Sequence, residues 1–247
     1  MMEGKGQVRE PLRVAIHQPN FNPYLGVIAK YLLADRIVHL DTVQFVKNEF
    51  QNRNKVVLNG QPHWLTVPVI HSSQQRMNEV VIDNRRPWRR KHLKTLEQGY
   101  SKTPCFSTVF PWLQSVYDFS ADLLIDWNLN FLGSLLEFME ITTPATLASD
   151  MGAMPNDPDG RLIALCRELG GEIYIAGGGG LDYMNRQDWD RSGIQVQFVQ
   201  FDHPTYPQGG DPFVPFCGIL DCLFRFPPND VKEFALSGTR LRGWDSE

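Results

Sequence analysis

The chain lacks any run of 18 apolar residues, so no membrane-spanning helix is expected in its 247 residues. Cysteine is scarce: four residues, at 105, 166, 217 and 222, form no CxxC pair. That argues against a disulfide framework and against a cysteine-built zinc site. HExxH and related ligand spacings are missing, and no metal is expected. Neither GxGxxG with a trailing acidic residue nor GxxxxGK[ST] occurs, which removes two nucleotide-loop fingerprints. The first residues, MMEGKGQVREPLR, hold no apolar signal-peptide core, so a cytoplasmic location is expected by default. Excess positive charge is missing too: the net charge is −4, which argues against nucleic acid as a partner. What remains, 42% hydrophobic and 21% charged residues, is the composition of an ordinary globular domain.

Residues 1–12 read as a flexible N-terminus and 13–247 as a single α/β domain. The strand-length run Arg13–Ile16 ends at His17, followed by a turn with two prolines. Tyr24–Ala34 has apolar residues at helical spacing, and Arg36–Leu40 is a second strand-length run closed by Asp41. Short links make this a parallel β-loop-α-β unit. Val56–Leu58, His63–Val69 and Glu79–Ile82 read as short antiparallel strands, the first two joined at Asn59-Gly60. Trp88–Gly99 reads as a basic amphipathic helix with Gly99 as its stop, and helices follow over about 108–119 and 121–139. A helix over Arg161–Leu169, strands over Glu172–Ala176 and Ile194–Phe201, and helices over Val214–Phe226 and Asp230–Leu236 complete the pattern. The expected fold is a mainly parallel Rossmann-like sheet flanked by helices, with a small antiparallel excursion and a helical insert around 88–140.

Chemistry-bearing residues gather at strand ends, where α/β sheets place ligands. His17 can act as general base, bind an anion, or simply hold its turn through a backbone carbonyl. Gln18, Asn20 and Asn22 can orient a substrate or satisfy the turn. Lys30, in an otherwise apolar helix, either snorkels to the surface or aims a cation into the cleft. Asp41 can orient an imidazole, bind a hydroxyl or cap a turn. Asn52-Arg53-Asn54-Lys55 suits a phosphate or carboxylate, or is a solvated basic turn. The run from Arg85 to His92 is a solvated helix face or a docking surface for an acidic partner or a pyrophosphate. Gly177–Gly180 follows a strand and reads as a close-approach loop. His203, Tyr206 and Gln208 follow another strand and can reach the same rim as His17. Cys217, among apolar neighbours, reads as a buried thiol.

The ordered blocks HQPNFNPYLG (17–26), Lys30, ADRIVHLDTVQF (34–45), QNRNK (51–55), HWLTVPV (63–69) and QGY (98–100) resemble the WbqC-like family. YIAGGGGLDYM (174–184), FDHPTYPQ (201–208) and FVPFCGILDCLF (213–224) extend the resemblance over nearly the whole chain. Two departures stand out: the loop after Ala176 is richer in glycine than is usual in the family, and Phe216–Gly218 replaces a Leu-Ser type segment. The resemblance implies a bacterial transferase of surface-polysaccharide or specialised-metabolite biosynthesis. It would move an acyl or aminoacyl group to an amine or amino sugar. The donor would be a phosphopantetheine thioester on a carrier protein, with no cofactor bound. His17 would be the base and Asp41 its orienter. Gln18, Asn20, Lys30, Asn52, Arg53, Asn54, Lys55, Tyr183, His203, Tyr206, Gln208 and Asp221 would bind substrate. Two other expectations stand beside it. The β-loop-α-β start is similar to that of HIGH-type nucleotidyltransferases, although Tyr24-Leu25-Gly26-Val27 lacks their second histidine. A non-catalytic binding subunit of a biosynthetic assembly is the third.

Overall fold

Six strands form the central sheet: β1 (Arg13–His17), β2 (Arg36–His39), β7 (Ala145–Leu147), β8 (Ile173–Gly177), β9 (Gln195–Phe201) and β10 (Thr239–Arg242). The structure, a computed structural model, describes residues 9–245. The flexible lead-in expected over 1–12 lies outside the described residues up to position 8. From Arg9 onward the chain is bonded, Arg9 Nη2 lying 2.7 Å from Glu172 Oε1 and the Leu12 carbonyl accepting from Ile173 N–H.

The spatial order is β7-β2-β1-β8-β9-β10, with every neighbouring pair parallel except the antiparallel β9–β10 edge. The chain therefore grows outward from β1 on one side, returns, and grows outward from β1 on the other. Strand direction is shared, so the carboxyl ends of β1 and β8 diverge into loops that leave in opposite directions. That is the topological switch point, where open α/β sheets leave a crevice for ligands.

Strict alternation along the central strands fills two cores. Ala15, Ile37 and Ile175 join one with Val27 and Ile28 of α1 (Leu25–Leu33). Val14, Ile16, Val38, Tyr174 and Ala176 join the other, with Leu162 and Leu165 of a later helix. Strands buried on both faces read as near-continuous apolar runs, which is why β1, β2 and β8 are visible in the sequence.

Residues 40–144 are inserted between β2 and β7. They carry the hairpin of β3 (Arg53–Leu58) and β4 (Gln61–Thr66), and the short pair of β5 (Val69–Ile70) and β6 (Val81–Ile82). Three helices follow: α2 (Trp88–Tyr100), α3 (Phe106–Tyr117) and α4 (Leu124–Phe138). Asn59 at φ 51° and Gly60 at φ 74° make the expected two-residue hairpin turn. After β7 come α5 (Pro158–Glu168), α6 (Arg186–Ser192), α7 (Ile219–Leu223) and α8 (Pro228–Ser237).

Three local expectations need correction. Gly99 does not stop α2, which continues to Tyr100; a Cβ at 99 would fall 2.2 Å from Leu58 Cδ2, so glycine there allows close approach to β3. The expected helix over 214–226 is confined to α7, because Pro215 and then Phe216 at φ 56° keep the preceding chain out of helical geometry. The Asn52–Lys55 cluster is not a solvated turn: Arg53–Lys55 open strand β3. β7, β10 and α6 have no counterpart among the expected elements.

Candidate functional site

A cavity of about 600 Å³ opens at the switch point between β1 and β8. His17, Gln18 and Asn20 form its floor at the end of β1, Lys30 enters from α1, and Gly177, Gly179 and Gly180 form the wall after β8. Glu49, Phe50, Gln51, Arg161 and Tyr183 complete the polar and aromatic lining.

His17 lies on the α1 face of the sheet by strand alternation, and Lys30 rises from α1 to meet it. Lys30 is 6% exposed, and its Nζ stands 3.5 Å from His17 Nδ1. No carboxylate pairs with this ammonium among the described residues. Burial pulls the Lys30 pKa down to about 8. Burial, then the Lys30 charge, then His39 hold the His17 imidazole well below its ordinary 6.5, so it is neutral at pH 7. A neutral imidazole offers one lone pair and one N–H. The ammonium takes the lone pair at Nδ1, which puts the proton on Nε2. Asn20 lies 3.1 Å from Nε2 through its carboxamide, whose two ends exchange by rotation and can turn the oxygen toward that N–H.

The floor loop is bonded from several sides. Asn128 Nδ2 of α4 donates to the carbonyls of Pro19 and Gln51, each at 2.8 Å. Phe21 N–H donates to Phe50 O at 3.0 Å, and Gln51 Nε2 donates to Gln18 Oε1 at 2.7 Å. Asn22, at φ 45°, accepts at its backbone oxygen from Asn54 Nδ2 (2.7 Å) and at Oδ1 from Leu220 N–H (3.1 Å). Rigid support of this kind holds first contacts in place before a ligand arrives.

Other candidates lie elsewhere. Asp41 is buried but turned away from His17: it accepts from Ser149 N–H at 3.0 Å and from Asn78 Nδ2 at 3.5 Å. The residue aligned with His17 on β2 is His39, which meets the Tyr31 hydroxyl at 2.7 Å and whose pKa burial lowers to about 4. Asn52 bridges Asn48 N–H and Val67 O, and Asn54 ties β3 to the floor loop. Arg53 stacks 4.1 Å over Trp64, and Lys55 Nζ donates to Pro215 O at 3.2 Å. None of these lines the cavity.

Asp221, fully buried, forms a separate hub. Its carboxylate accepts from Tyr100 OH, Val57 N–H (3.1 Å), Tyr206 OH (3.0 Å), Gln208 Nε2 (3.3 Å) and Arg225 Nη2 (3.4 Å). His203 donates through Nδ1 to Pro204 O within a ring of aromatic side chains. Tyr206, Gln208, Asp221 and His203 thus hold the C-terminal loops and do not share the His17 rim. Cys217 is buried, its thiol pushed up to about 12 chiefly by burial.

The basic run also has its own place. Arg85 and Arg86 pair with Asp83, Arg89 lies over the Trp88 and Trp127 rings, and buried His92 bonds to Thr66. Arg86, Lys91 and Lys94 line a second groove of about 450 Å³ beside Trp64, away from the cavity. Among the described residues no three His, Cys, Asp or Glu side chains assemble as a metal set, and no helix is long and apolar enough to cross a membrane.

Phe50 and Arg161 had no sequence signal as ligand groups; only the closed fold brings their loops to the end of β1. The glycines after β8 did have one, their position behind a strand.

A model of the WbqC-like protein family matches residues 18–233. The uncharacterized protein Rv1507c of Mycobacterium tuberculosis is 27% identical over 216 residues, covering 86% of this chain and 93% of that protein. No solved structure matches. The family match runs from the cavity floor through the parallel sheet to α8, and on that extent the chain belongs to the WbqC-like protein family.

Proposed function

We propose that the protein is a transferase whose donor is anchored through a phosphate or carboxylate at the switch-point cavity. One observation carries this reading: a buried ammonium, Lys30 Nζ, stands at the cavity floor with a neutral imidazole and no carboxylate beside it. A buried cation without a counter-charge is costly to the fold, and an anionic ligand supplies that charge. The same charge stabilises negative charge that develops on a leaving phosphate or on an acyl oxyanion. With its oxygen on His17 Nε2–H, the Asn20 amide is left with its Nδ2–H donors to add a hydrogen bond to the same group.

The strand order favours nucleotidyl transfer from a nucleoside triphosphate, since the cavity occupies the dinucleotide-fold crevice. Acyl transfer from a phosphopantetheine thioester to an amine or amino sugar is the second reading, in which the Lys30 ammonium stabilises the acyl oxyanion and the neutral His17 becomes a base at Nδ1 when the ammonium turns from that lone pair to the donor. Thermal-shift titration with ATP, CTP and a 4′-phosphopantetheine thioester separates the two. The expected result is a rise in Tm with one phosphate-bearing donor that is lost in Lys30→Met; at 100 times Kd such binding adds about 2.7 kcal/mol. No response from any donor, or an equal response from Lys30→Met, overturns the proposal. Binding without turnover on any amine acceptor makes the protein a binding subunit.

A further inference from the structure

The cavity is polar at its floor and apolar at its mouth. Phe50 is 36% exposed, Val46 51% and Tyr183 64%. Exposed large apolar side chains gathered around one opening mark a binding surface. They also come from both sides of the switch point: Val46 and Phe50 from the chain leaving β2, Tyr183 from the chain leaving β8.

The same cavity is lined by bare backbone at Gly177 and Gly179, and the Phe50 and Tyr183 sides form its jaws. A Cβ at Gly179 meets nothing within 4 Å, and its φ lies outside the left-handed region. The backbone at Gly179 is therefore open to the cavity, with room for a flat group to lie against it. At Gly177 the sole neighbour of a Cβ is Lys30 Nζ, 3.5 Å away, so a side chain would cover the ammonium. The Phe50 jaw is fixed to the floor: Phe50 O accepts from Phe21 N–H, and the Gln51 side chain bonds both Gln18 and Val46 N–H. The volume of about 600 Å³ is that of a small-molecule pocket and far exceeds a lone phosphate.

We infer that the ligand is a nucleoside phosphate, its phosphate on Lys30 and its planar base held between Phe50 and Tyr183 against Gly179. This rests on the anion-anchoring role of Lys30 proposed above. The shared chemistry, a planar base joined to phosphate, comes either as a free nucleotide or as the nucleotide half of coenzyme A. A pantetheine arm alone has no flat ring for the jaws.

Calorimetric titration of the full chain tests it with ATP, CTP, coenzyme A, 4′-phosphopantetheine and inorganic tripolyphosphate. Nucleotides are expected to bind about tenfold or more tightly than tripolyphosphate, the gain typical of base–aromatic stacking. Phe50→Ala and Tyr183→Ala should each weaken nucleotide binding about tenfold and leave tripolyphosphate unchanged, Tyr183→Phe should restore it, and Gly179→Leu should abolish it. Preference for ATP or CTP over coenzyme A assigns a free nucleotide, and the reverse assigns the coenzyme; 4′-phosphopantetheine binding as tightly as either overturns the clamp. Equal affinity for nucleotides and tripolyphosphate, with all three jaw and backbone variants inert, overturns the clamp while Lys30 still anchors anions. No binding by any of the five compounds overturns both.

Discussion

Lys30 concentrates the tension between stability and function in one side chain. Its ammonium is buried without a carboxylate, so Lys30→Met should leave the free protein as stable or more stable, by about 1 kcal/mol in urea denaturation. The same variant should lose stabilisation by anions. Because burial lowers its pKa to about 8, anion affinity should fall as the pH rises past that value, measured by calorimetry between pH 7 and 9. The histidines give a second pH signature. His17, His39 and His92 are all held below their unfolded 6.5, the latter two at about 4. Between those values the unfolded chain binds more protons than the folded one, so stability is full above about 6.5 and falls as the pH drops toward 4, readable as a falling urea midpoint. The sequence made His17 and Lys30 visible as polar residues in apolar runs. It could not separate them from Asp41, Asn54 and Asp221, because whether a polar side chain is satisfied internally depends on chain segments far away. Asp221 shows this: its partners Val57 and Tyr100 lie more than 100 residues earlier. Asp221→Ala should cost about 3–5 kcal/mol, since five donors lose their carboxylate, while leaving the cavity residues in place in any molecules that fold.

The element that matters most is the loop between β1 and α1, and its geometry is imposed from outside. Asn128 of α4 ties it to the Phe50 wall, donating to Pro19 O in the loop and to Gln51 O in the wall, so Asn128→Ala leaves two buried carbonyls without a donor and should cost about 2 kcal/mol in urea denaturation. It should also weaken ligand binding without touching the ligand. On the other side, α7 starts against the loop, Ile219 N–H donating to Pro23 O. A Cβ at Gly218 would stand 2.0 Å from Asn22 Nδ2 and 2.6 Å from Asn22 O, so Gly218→Ala must displace the loop backbone. Elements with strong periodicity or full burial were legible from sequence: β1, α1, β2, β8, β9 and the Asn59-Gly60 hairpin. Those that failed had a local cause. β7 has three residues and no buried one, and β10 has no buried residue and an exposed pair at its centre, so neither shows an apolar pattern. The Asn52–Lys55 cluster looks like a loop by composition, yet in β3 alternation sends Asn54 inward and places Arg53 and Lys55 beside Trp64.

At the scale of the molecule, strand order decides where chemistry can occur. Growth of the sheet in both directions from β1 parts the loops after β1 and β8, and the cavity lies where they part. The insertion over residues 40–144 adds the Phe50 wall and braces the floor from α4. The basic groove and the Asp221 hub, built from the other conspicuous polar segments, lie apart from it. A parallel sheet was predictable from alternating apolar runs and short links; its order was not, because nothing local states on which side of β1 the chain returns. The central claim is that the switch-point cavity is an anion site built on Lys30. Calorimetric titration of tripolyphosphate and ATP into the unmodified protein and Lys30→Met at pH 7 tests it most directly. The account predicts saturable binding by the unmodified protein and none by a folded Lys30→Met variant; binding by neither, or equal binding by both, contradicts it.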